Sequence, residues 1–352
     1  MHAHRHEMVT GVTSSISHHV LGFSKGCVIN HVSQYTYEQI VLSSEKVVIL
    51  TDTPGGTKYM KTTIQGILTN PHGACLVVAA NANVSQMTKD LYGIIVYLGM
   101  PCCVLVTKLD VAHPTQLERT IRQLLGLIDS SKKQTIVVQS IENIKASAQS
   151  TDLVPLVLTS SVTGDNISLL TMYLESLPEP IEIKGPLIFQ IERVYRLPHG
   201  RVVSGVVRQG TLETTSDATF YVCKTRIQIA CVKRLRLTVR TVKSGQSCTL
   251  LLNMPDLPID IKKGMCIVSA ECAPITSFEM SAKMLSGKLA PGSCGRILPT
   301  NQAVRVVSSN FENGIGTVSF RFVGGTHAFA YESEPLYFYG AGRCIGRITS
   351  IW

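Results

Sequence analysis

Val47 to Thr63 reads VVILTDTPGGTKYMKTT, and it is the most informative part of the sequence for the fold class. Val47 to Leu50 and Thr51 are apolar or β-branched, which predicts a short buried strand. The strand ends at Asp52-Thr53-Pro54-Gly55, and Lys58 to Asn70 has helical spacing. The strand places an aspartate at its end, and the glycine that follows has a backbone that can approach a ligand closely. This arrangement is typical of a switch that binds a terminal phosphate and its magnesium ion. Such a tetrapeptide is common in turns, so the prediction depends on motifs further along the chain.

Length and composition indicate an ordinary globular protein. A chain of 352 residues with 45% hydrophobic content can bury a full core and form two or three domains. No apolar run approaches the roughly 18 to 20 residues of a membrane span, and Met1 to His6 lacks the apolar core of a signal peptide. These features predict a cytoplasmic protein without a membrane partner.

Cysteines and histidines give little sign of a metal site. The 11 cysteines include no C-x-x-C pair, and many lie in apolar strands, which is typical of reduced core residues. His2, His4 and His6 alternate at the start of the chain. This trio could bind a metal ion, but solvated histidines at a chain end are the alternative.

The formal charge of +9 is unevenly distributed. Residues 1–180 hold 12 Lys and Arg against 13 Asp and Glu, whereas residues 181–352 hold 21 against 11. The excess positive charge of the second half favours a polyanionic partner such as RNA. A basic surface without a specific partner is the other interpretation.

Strands and helices alternate in the first half of the chain. The sequence predicts strands at Lys46 to Thr51, Ala74 to Ala80, Cys102 to Thr107 and Pro155 to Thr159. It predicts helices at Gln86 to Leu98, Thr115 to Ile128 and Asn166 to Leu177. This pattern is typical of an α/β domain with a largely parallel sheet, whose ligand lies at the carboxyl ends of the strands.

The loops after these strands predict recognition of guanine. Thr107-Lys108-Leu109-Asp110 follows one strand and Ser160-Ser161-Val162-Thr163-Gly164 follows another. The Asp110 carboxylate can accept hydrogen bonds from N1 and N2 of guanine, a donor pair that adenine lacks. Lys108 would lay its stem along the base, and the amides of Ser161 and Val162 could bind guanine O6.

The second half predicts all-β structure after a linker at Pro178-Glu179-Pro180. Residues 186–352 contain short strands with Gly, Pro and Ser at turns and almost no helical period, which is typical of barrels or sandwiches. We therefore expect three domains, at residues 1–178, 186–272 and 273–352. Lys233 to Arg240 alternates with a period of two, which predicts one strand with Arg234, Arg236 and Arg240 on one face. This arginine face either binds phosphates or is a plain solvated strand face.

Several further stretches share one family resemblance. They are Arg5-His6-Glu7, Gly11 to Ser15 (GVTSS), Leu21-Gly22-Phe23, Lys58 to Thr63 (KYMKTT), FQIERVYRLPHGRVVSG from Phe189 and LYFYGAGRCIGRI from Leu336. The first three resemble the first switch, and the fourth the second switch, of the translational GTPases, the family of elongation factor Tu and eukaryotic elongation factor 1-alpha. The last two resemble barrel domains of that family. Thr107, where most relatives have Asn, resembles the branch called GTP-binding protein 1 and 2.

The resemblance implies a P-loop-type G domain followed by two β-barrels, with GTP or GDP and Mg²⁺ as cofactors. It implies that Thr13 and Asp52 hold the metal, Asp52 through water, and that the Gly55 amide bonds the γ-phosphate. It implies a guanine site formed by Thr107, Lys108, Asp110, Ser160, Ser161 and Val162. Family activity is GTP hydrolysis coupled to the ribosome, with tRNA often held against the barrels, so ribosome and tRNA or other RNA are the expected partners of a monomer.

Two departures from the family pattern affect the expected activity. The family has a water-positioning histidine where this chain has Gly56, so no catalytic residue is identified and hydrolysis is expected to be slow. No G-x-x-x-x-G-K-[ST] is present, and the phosphate loop of the family would precede Met1. The first strand of the family sheet, expected between Lys46 to Thr51 and Ala74 to Ala80, would precede it too, which predicts that Met1 is not the true start.

Three hypotheses about function follow. The first is a translational-type GTPase that acts at the ribosome or on tRNA. The second is a pseudo-GTPase whose basic barrels bind RNA without hydrolysis, and the third is a fragment that does not fold alone.

Overall fold

A computed structural model describes most of the chain. The described residues are 7, 9, 13–30, 35–69, 71–148, 150, 152–179, 181–197, 200–215, 218–222, 225–253, 260–269, 274–324 and 328–352. Residues named above that lie outside them are Met1, His2, His4, Arg5, His6, Gly11, Val12, Asn70, Pro180, Pro198 and His199. The chain divides into one compact unit of Met1–Thr63 and Pro71–Pro180 and a second of Ile64–Asn70 and Ile181–Trp352.

The first half of the chain contains seven described strands and six described helices. The strands are β1 Ser17–Ser24, β2 Cys27–Ile29, β3 Lys46–Asp52, β4 Ala74–Ala79, β5 Cys102–Thr107, β6 Gln134–Val137 and β7 Leu153–Leu158. The helices are α1 Tyr37–Ser43, α2 Met60–Ile67, α3 Gln86–Tyr97, α4 Pro114–Asp129, α5 Ile141–Ala148 and α6 Ile167–Ser176. The predicted alternation of strands and helices is therefore confirmed, including α3, α4 and α6.

Four parallel strands in the order β4-β5-β7-β6 form the larger sheet of the first unit. Its centre is apolar on both faces, because each of residues 102–106 of β5 is buried. One face packs against Tyr92 of α3 and Leu124 of α4. The other packs against Tyr173 and Leu174 of α6. Strands β5 and β7 are paired in parallel, so the loops that follow them leave the sheet at the same edge.

A separate antiparallel sheet holds β3. Its order is β2-β1-β3, so β3 and β4 belong to different sheets, and β4 is the edge strand of the parallel one. Within the described part of the chain, neither β3 nor β4 has a second neighbouring strand. Val77 of β4 is 60% exposed, which shows that described residues leave one face of this edge open. The strand that the sequence predicts between them stays a prediction.

The second half of the chain contains sixteen described strands. They are β8 Ile188–Leu197, β9 Gly200–Gln209, β10 Thr211–Glu213, β11 Phe220–Val222, β12 Thr225–Ile227, β13 Ile229–Arg234, β14 Leu237–Thr238, β15 Thr241–Lys243, β16 Ser247–Leu252, β17 Cys266–Ser269, β18 Ser277–Ser286, β19 Cys294–Leu298, β20 Gln302–Glu312, β21 Ile315–Phe322, β22 Pro335–Gly340 and β23 Arg343–Ile351. No helix occurs among the described residues from 181 onward, which confirms the all-β prediction.

Fourteen of these strands form two larger assemblies, and the other two, β10 and β15, pair with each other in a two-stranded sheet. Eight strands in the order β12-β11-β17-β8-β9-β16-β13-β14 form one sheet around a core that includes Phe189, Val203 and Leu250. The six strands β18 to β23 form a closed barrel around Phe278, Phe320 and Phe338. Successive phenylalanine rings lie 5.2 and 4.9 Å apart, in the tilted arrangement that aromatic pairs prefer. The fold class expected from the sequence, an α/β G domain followed by β-barrel domains, is confirmed.

The arginine-rich run is a hairpin and not the single strand that the sequence predicts. Strand β13 ends at Arg234, the chain turns at Leu235 and Arg236, and β14 returns with Leu237 paired to Arg234. Leu235 and Arg236 have φ values of 50° and 70°. This left-handed turn reverses the chain, so the period of two that would align Arg234, Arg236 and Arg240 is broken.

Most described cysteines are reduced core residues, as the sequence predicts. All of the described cysteines are free, and Cys102, Cys248 and Cys344 are buried. Burial raises the pKa of each of these three thiols to about 12, which keeps them protonated and unreactive at neutral pH. Cys27, Cys75, Cys231 and Cys294 differ, because they are exposed or half-buried.

A buried ion pair lies inside the second unit. Arg208 of β9 and Glu334, just before β22, are 6% and 2% exposed and pair through Nη2 and Oε1. Arg208 Nη1 also donates to the carbonyl of Phe329 at 3.4 Å, and the guanidinium lies 6.0 Å from the Tyr331 ring centroid. The pair therefore joins the eight-stranded sheet to the closed barrel.

We expect Glu334→Ala to lower the free energy of unfolding by about 3 kcal/mol, because it leaves the Arg208 charge buried without its carboxylate. The loss lies at the low end of the usual range, since the Phe329 carbonyl and the Tyr331 ring still contact the guanidinium. Urea unfolding measures the change. The double substitution Arg208→Met with Glu334→Leu removes both charges and should recover most of the stability; equal losses in both variants would contradict this account.

Candidate functional site

Two loops at the carboxyl ends of β5 and β7 meet through side chains. Thr107 ends β5, Lys108 follows, and Asp110 lies in a 3₁₀ turn at Leu109–Val111. After β7, Ser160 is fully buried and its Oγ donates to Asp110 Oδ1 at 2.6 Å. The structure thus brings together two residues that are 50 positions apart and that the sequence assigns to one guanine site.

The backbone at Lys108 is strained. Its φ and ψ are 63° and 40°, the left-handed region that a residue with a Cβ atom rarely adopts. Such a conformation costs about 1–3 kcal/mol and persists where surrounding structure determines it. Here the Ala80 amide donates to the Thr107 carbonyl at 2.7 Å and the Leu109 amide to the Thr159 carbonyl at 3.4 Å. Both bonds hold the turn that presents Lys108 and Asp110 to solvent.

Ser160 also organises its own loop. Its Oγ accepts hydrogen bonds from the amides of Val162 and Thr163, both at 3.2 Å. The Val162 amide, assigned by the sequence to guanine O6, is therefore engaged by Ser160 in this structure. Ser161 is exposed, and the Val162 side chain is 81% exposed. The loop thus stands open at the carboxyl edge of the sheet beside Asp110.

A second pair of predicted residues meets at the end of β3. Thr13 Oγ1 donates to Asp52 Oδ2 at 3.4 Å. Asp52 is the last residue of β3 and lies opposite Ser17 of β1 in the antiparallel ladder. The ladder therefore brings the segment that carries Thr13 alongside the aspartate at the end of β3.

The loop after Asp52 is fixed by one side chain. Pro54 is buried, and its carbonyl accepts from the Thr63 hydroxyl of α2 at 2.5 Å. Gly55 and Gly56 stand beyond it, and a Cβ at Gly55 would meet no atom within 4 Å. The Gly55 backbone is therefore open to a ligand, as its predicted role requires.

Sequence reasoning gave no role to Glu7, which the structure places beside this site. Glu7 is 1% exposed, and its Oε1 accepts from the amide of Ser14 at 2.6 Å and from its hydroxyl at 2.7 Å. The amide and hydroxyl of Ser15 approach the same oxygen at 3.2 and 3.3 Å. The signals in the sequence are an acidic residue ahead of a run of three hydroxyl residues and the resemblance of Arg5-His6-Glu7 to the first switch of the family.

The structure gives two pairs rather than one continuous site. Within the described residues, no hydrogen bond joins Thr13 and Asp52 to Asp110 and Ser160. The oxygen atoms of the first pair are the ligands that Mg²⁺ takes in proteins, so these residues fit that ion. No described group of three or more His, Cys, Asp or Glu could hold a metal ion by itself. His2, His4 and His6 lie outside the described residues.

None of the described helices is both long and apolar enough to cross a bilayer.

Comparisons with known proteins identify the family of the first half of the chain. Residues 1–179 match the family described as the elongation factor Tu GTP binding domain. GTP-binding protein 2 of Homo sapiens is 33% identical over 295 residues, which cover 77% of this chain and 48% of that protein. GTP-binding protein 1 of Xenopus laevis is 29% identical over 376 residues, covering 99% of this chain and 57% of that protein. The chain thus spans about half the length of the curated relatives it matches.

Two solved structures share the fold. The bacterial selenocysteine-specific elongation factor EF-Sec has a TM-score of 0.71 at 16% identity, covering 99% of this chain and 53% of that one. Translation elongation factor SelB from Methanococcus maripaludis, solved in complex with the GTP analogue GppNHp, has a TM-score of 0.67 at 14% identity, covering 87% and 71%. At these identities the similarity shows the fold alone.

Proposed function

Because the chain belongs to the elongation factor Tu family of GTP-binding proteins, we propose that it binds GTP and GDP with Mg²⁺ as a translational-type GTPase. The hydrogen bond from Ser160 to Asp110 carries the proposal. It joins the loops after β5 and β7 at the edge where ligands of parallel α/β sheets bind. It also uses only one of the two carboxylate oxygens, so Asp110 keeps acceptor capacity for a base.

Each predicted residue has a role in this proposal. Asp110 accepts from N1 and N2 of guanine, Lys108 lies along the base, and Thr107 holds the loop. Ser160 orients Asp110, and the amides of Ser161 and Val162 face guanine O6 once the turn at Ser160 opens. Thr13 and Asp52 hold Mg²⁺, and the Gly55 amide faces the γ-phosphate. When bound, Mg²⁺ neutralises charge on the β- and γ-phosphates.

Competition between nucleotides tests this proposal. Purified protein is titrated with a fluorescent GDP analogue in the presence of Mg²⁺, and unlabelled GDP, GTP and ADP then compete. We expect GDP and GTP to displace the probe and ADP to fail, because adenine lacks the donor pair that Asp110 accepts. Absence of probe binding, or equal displacement by ADP, would contradict guanine recognition.

We further propose that the partners are the ribosome and tRNA or another RNA. In this proposal the protein is a cytoplasmic monomer with domains at residues 1–178, 186–272 and 273–352. SelB and the selenocysteine-specific elongation factors are translation factors by name, and the excess positive charge of residues 181–352 suits a polyanion. Hydrolysis is slow in this proposal, because Gly56 stands where the family has its histidine. A protein that binds RNA without hydrolysis is the second candidate.

An arginine row on the closed barrel supports an RNA partner. Arg321 of β21 lies directly opposite Arg305 of β20, and both are exposed. In the described part of the chain, no carboxylate lies within ion-pair distance of either one. Like charges directly opposite in a sheet are destabilising, and a bridging phosphate relieves their repulsion. Exposed Arg296 and Arg343 both lie opposite Tyr339, on the next strands around the barrel.

We expect Arg305→Ala with Arg321→Ala to weaken binding of fluorescein-labelled tRNA and to lower the slope of log K against log [salt] by about one unit for each arginine. Arg119→Ala with Arg122→Ala is the matched control, because it removes two exposed arginines from α4. Fluorescence anisotropy over a salt series measures both variants. Equal slopes for the wild-type protein and the barrel variant would contradict this interface.

A further inference from the structure

Glu7 is a buried carboxylate that the proposed function leaves unexplained. A carboxylate removed from water is costly unless donors surround it. Four donors converge on its Oε1, namely the amide and hydroxyl of Ser14 and of Ser15, at 2.6 to 3.3 Å. An oxygen that already accepts from four groups is poorly placed to ligate a cation. Glu7 is therefore a hydrogen-bond acceptor for its own loop rather than a metal ligand.

The loop that Glu7 holds is the one that carries Thr13. Ser14 and Ser15 follow Thr13 directly, and β1 begins at Ser17, opposite Asp52. The segment is thus fixed on its carboxyl side by the β1–β3 ladder and in its middle by Glu7. For Thr13 itself, the described residues supply a single hydrogen bond, the long one of 3.4 Å to Asp52. Such a weak bond does not place Thr13 by itself, so the β1–β3 ladder and the hydrogen bonds from Ser14 and Ser15 to Glu7 together limit where Thr13 lies.

We propose that Glu7 is a positioning residue, which fixes Thr13 beside Asp52 and thereby sets the affinity of the nucleotide site for Mg²⁺. The inference rests on the proposed function, since it takes Thr13 and Asp52 as the residues that hold the ion. Groups that orient metal ligands through hydrogen bonds typically contribute about 10- to 100-fold to metal affinity. Glu7 would act in this way without touching the ion.

Three variants separate this role from a general loss of stability. Glu7→Ala removes the acceptor. Glu7→Gln keeps an acceptor oxygen of the same reach and lacks the charge. Glu45→Ala is the matched control, because Glu45 is an exposed glutamate next to β3 whose Oε1 accepts only a long hydrogen bond from Ser24, at 3.4 Å.

Two measurements test the proposal. The first is the Mg²⁺ concentration at which a fluorescent GDP analogue is half bound, compared with its affinity in EDTA. We expect Glu7→Ala to raise that concentration by about 10- to 100-fold, with affinity in EDTA unchanged. Glu7→Gln should recover most of the loss, and Glu45→Ala should match the wild-type protein. An unchanged Mg²⁺ requirement in Glu7→Ala, or an equal loss in EDTA, would overturn the proposal.

The second measurement needs no nucleotide. Hydrogen exchange of the peptide that contains Ser14 and Ser15 should be fast in Glu7→Ala and slow in the wild-type and Glu45→Ala proteins. Equal exchange in all of them overturns the role of Glu7. A wild-type protein that protects these amides but binds no guanine nucleotide would instead contradict the proposed function and, with it, the link to Mg²⁺. The two failures are therefore distinguishable.

Discussion

Asp110→Asn is expected to lower the affinity for GDP by about 10²- to 10⁴-fold and to increase that for xanthosine diphosphate. The carboxylate can accept from both N1 and N2 of guanine, and charge-assisted hydrogen bonds contribute about 1.5–3 kcal/mol each. About 1.4 kcal/mol corresponds to a tenfold change in affinity. An asparagine replaces one acceptor with an N–H donor, which opposes the N2 donor of guanine but matches the O2 acceptor of xanthine. Competition against a fluorescent GDP analogue measures both affinities.

The fold of the loop should survive this substitution. The amide oxygen of asparagine can still accept from Ser160 Oγ, which holds Asp110 at 2.6 Å. Asp165→Asn is the matched control, because Asp165 is an exposed aspartate of the same region that accepts from Thr163 Oγ1 at 2.7 Å. A GDP affinity that Asp110→Asn leaves unchanged, or that both variants lower equally, would contradict the assignment of Asp110 to the base.

The elements that the sequence predicts correctly are those whose local hydrophobic pattern matches the burial of their side chains in the structure. Cys102–Thr107 is a continuous apolar run, and its first five residues are buried on both faces of a parallel sheet. Helix α4, Pro114–Asp129, carries proline at its first position and buries Thr120, Leu124 and Ile128 at spacings of four. In both elements the local hydrophobic pattern and the tertiary burial agree, so the pattern alone was sufficient to predict them.

Other elements could not be predicted from the local sequence, because they depend on pairing with strands elsewhere in the chain or on turn conformations. Strand β1, Ser17–Ser24, begins SHH and reads as a polar loop, yet it pairs with β3 along seven residues. The arginine-rich run around β13 alternates like one long strand, but Leu235 and Arg236 adopt left-handed conformations that no propensity favours. Glycine would signal such a turn, and none is present at these two positions.

The candidate site likewise has a part that the sequence predicts and a part that it does not. Parallel strands place their carboxyl ends at one edge, so a sequence that orders Asp110 and Ser160 after two such strands also predicts that they meet. Glu7 has no such rule to locate it. Its side chain accepts from the amides and hydroxyls of Ser14 and Ser15, and such local contacts of serine occur in many loops without a distinctive sequence pattern.

Gly56→His is expected to raise the rate of GTP hydrolysis by about 10²- to 10⁴-fold, the usual contribution of a side chain that handles the attacking water. The backbone already permits the change, because Gly56 has φ −94° and ψ 143°, a conformation open to any residue. A Cβ there would meet only Tyr59 Cδ2, at an ordinary 3.7 Å. Phosphate release with protein in excess over GTP measures the rate, and Gly56→Phe is the control for ring size without ring nitrogens. Equal acceleration by phenylalanine, or no acceleration by histidine at unchanged GTP affinity, would contradict the view that the glycine at position 56 slows hydrolysis.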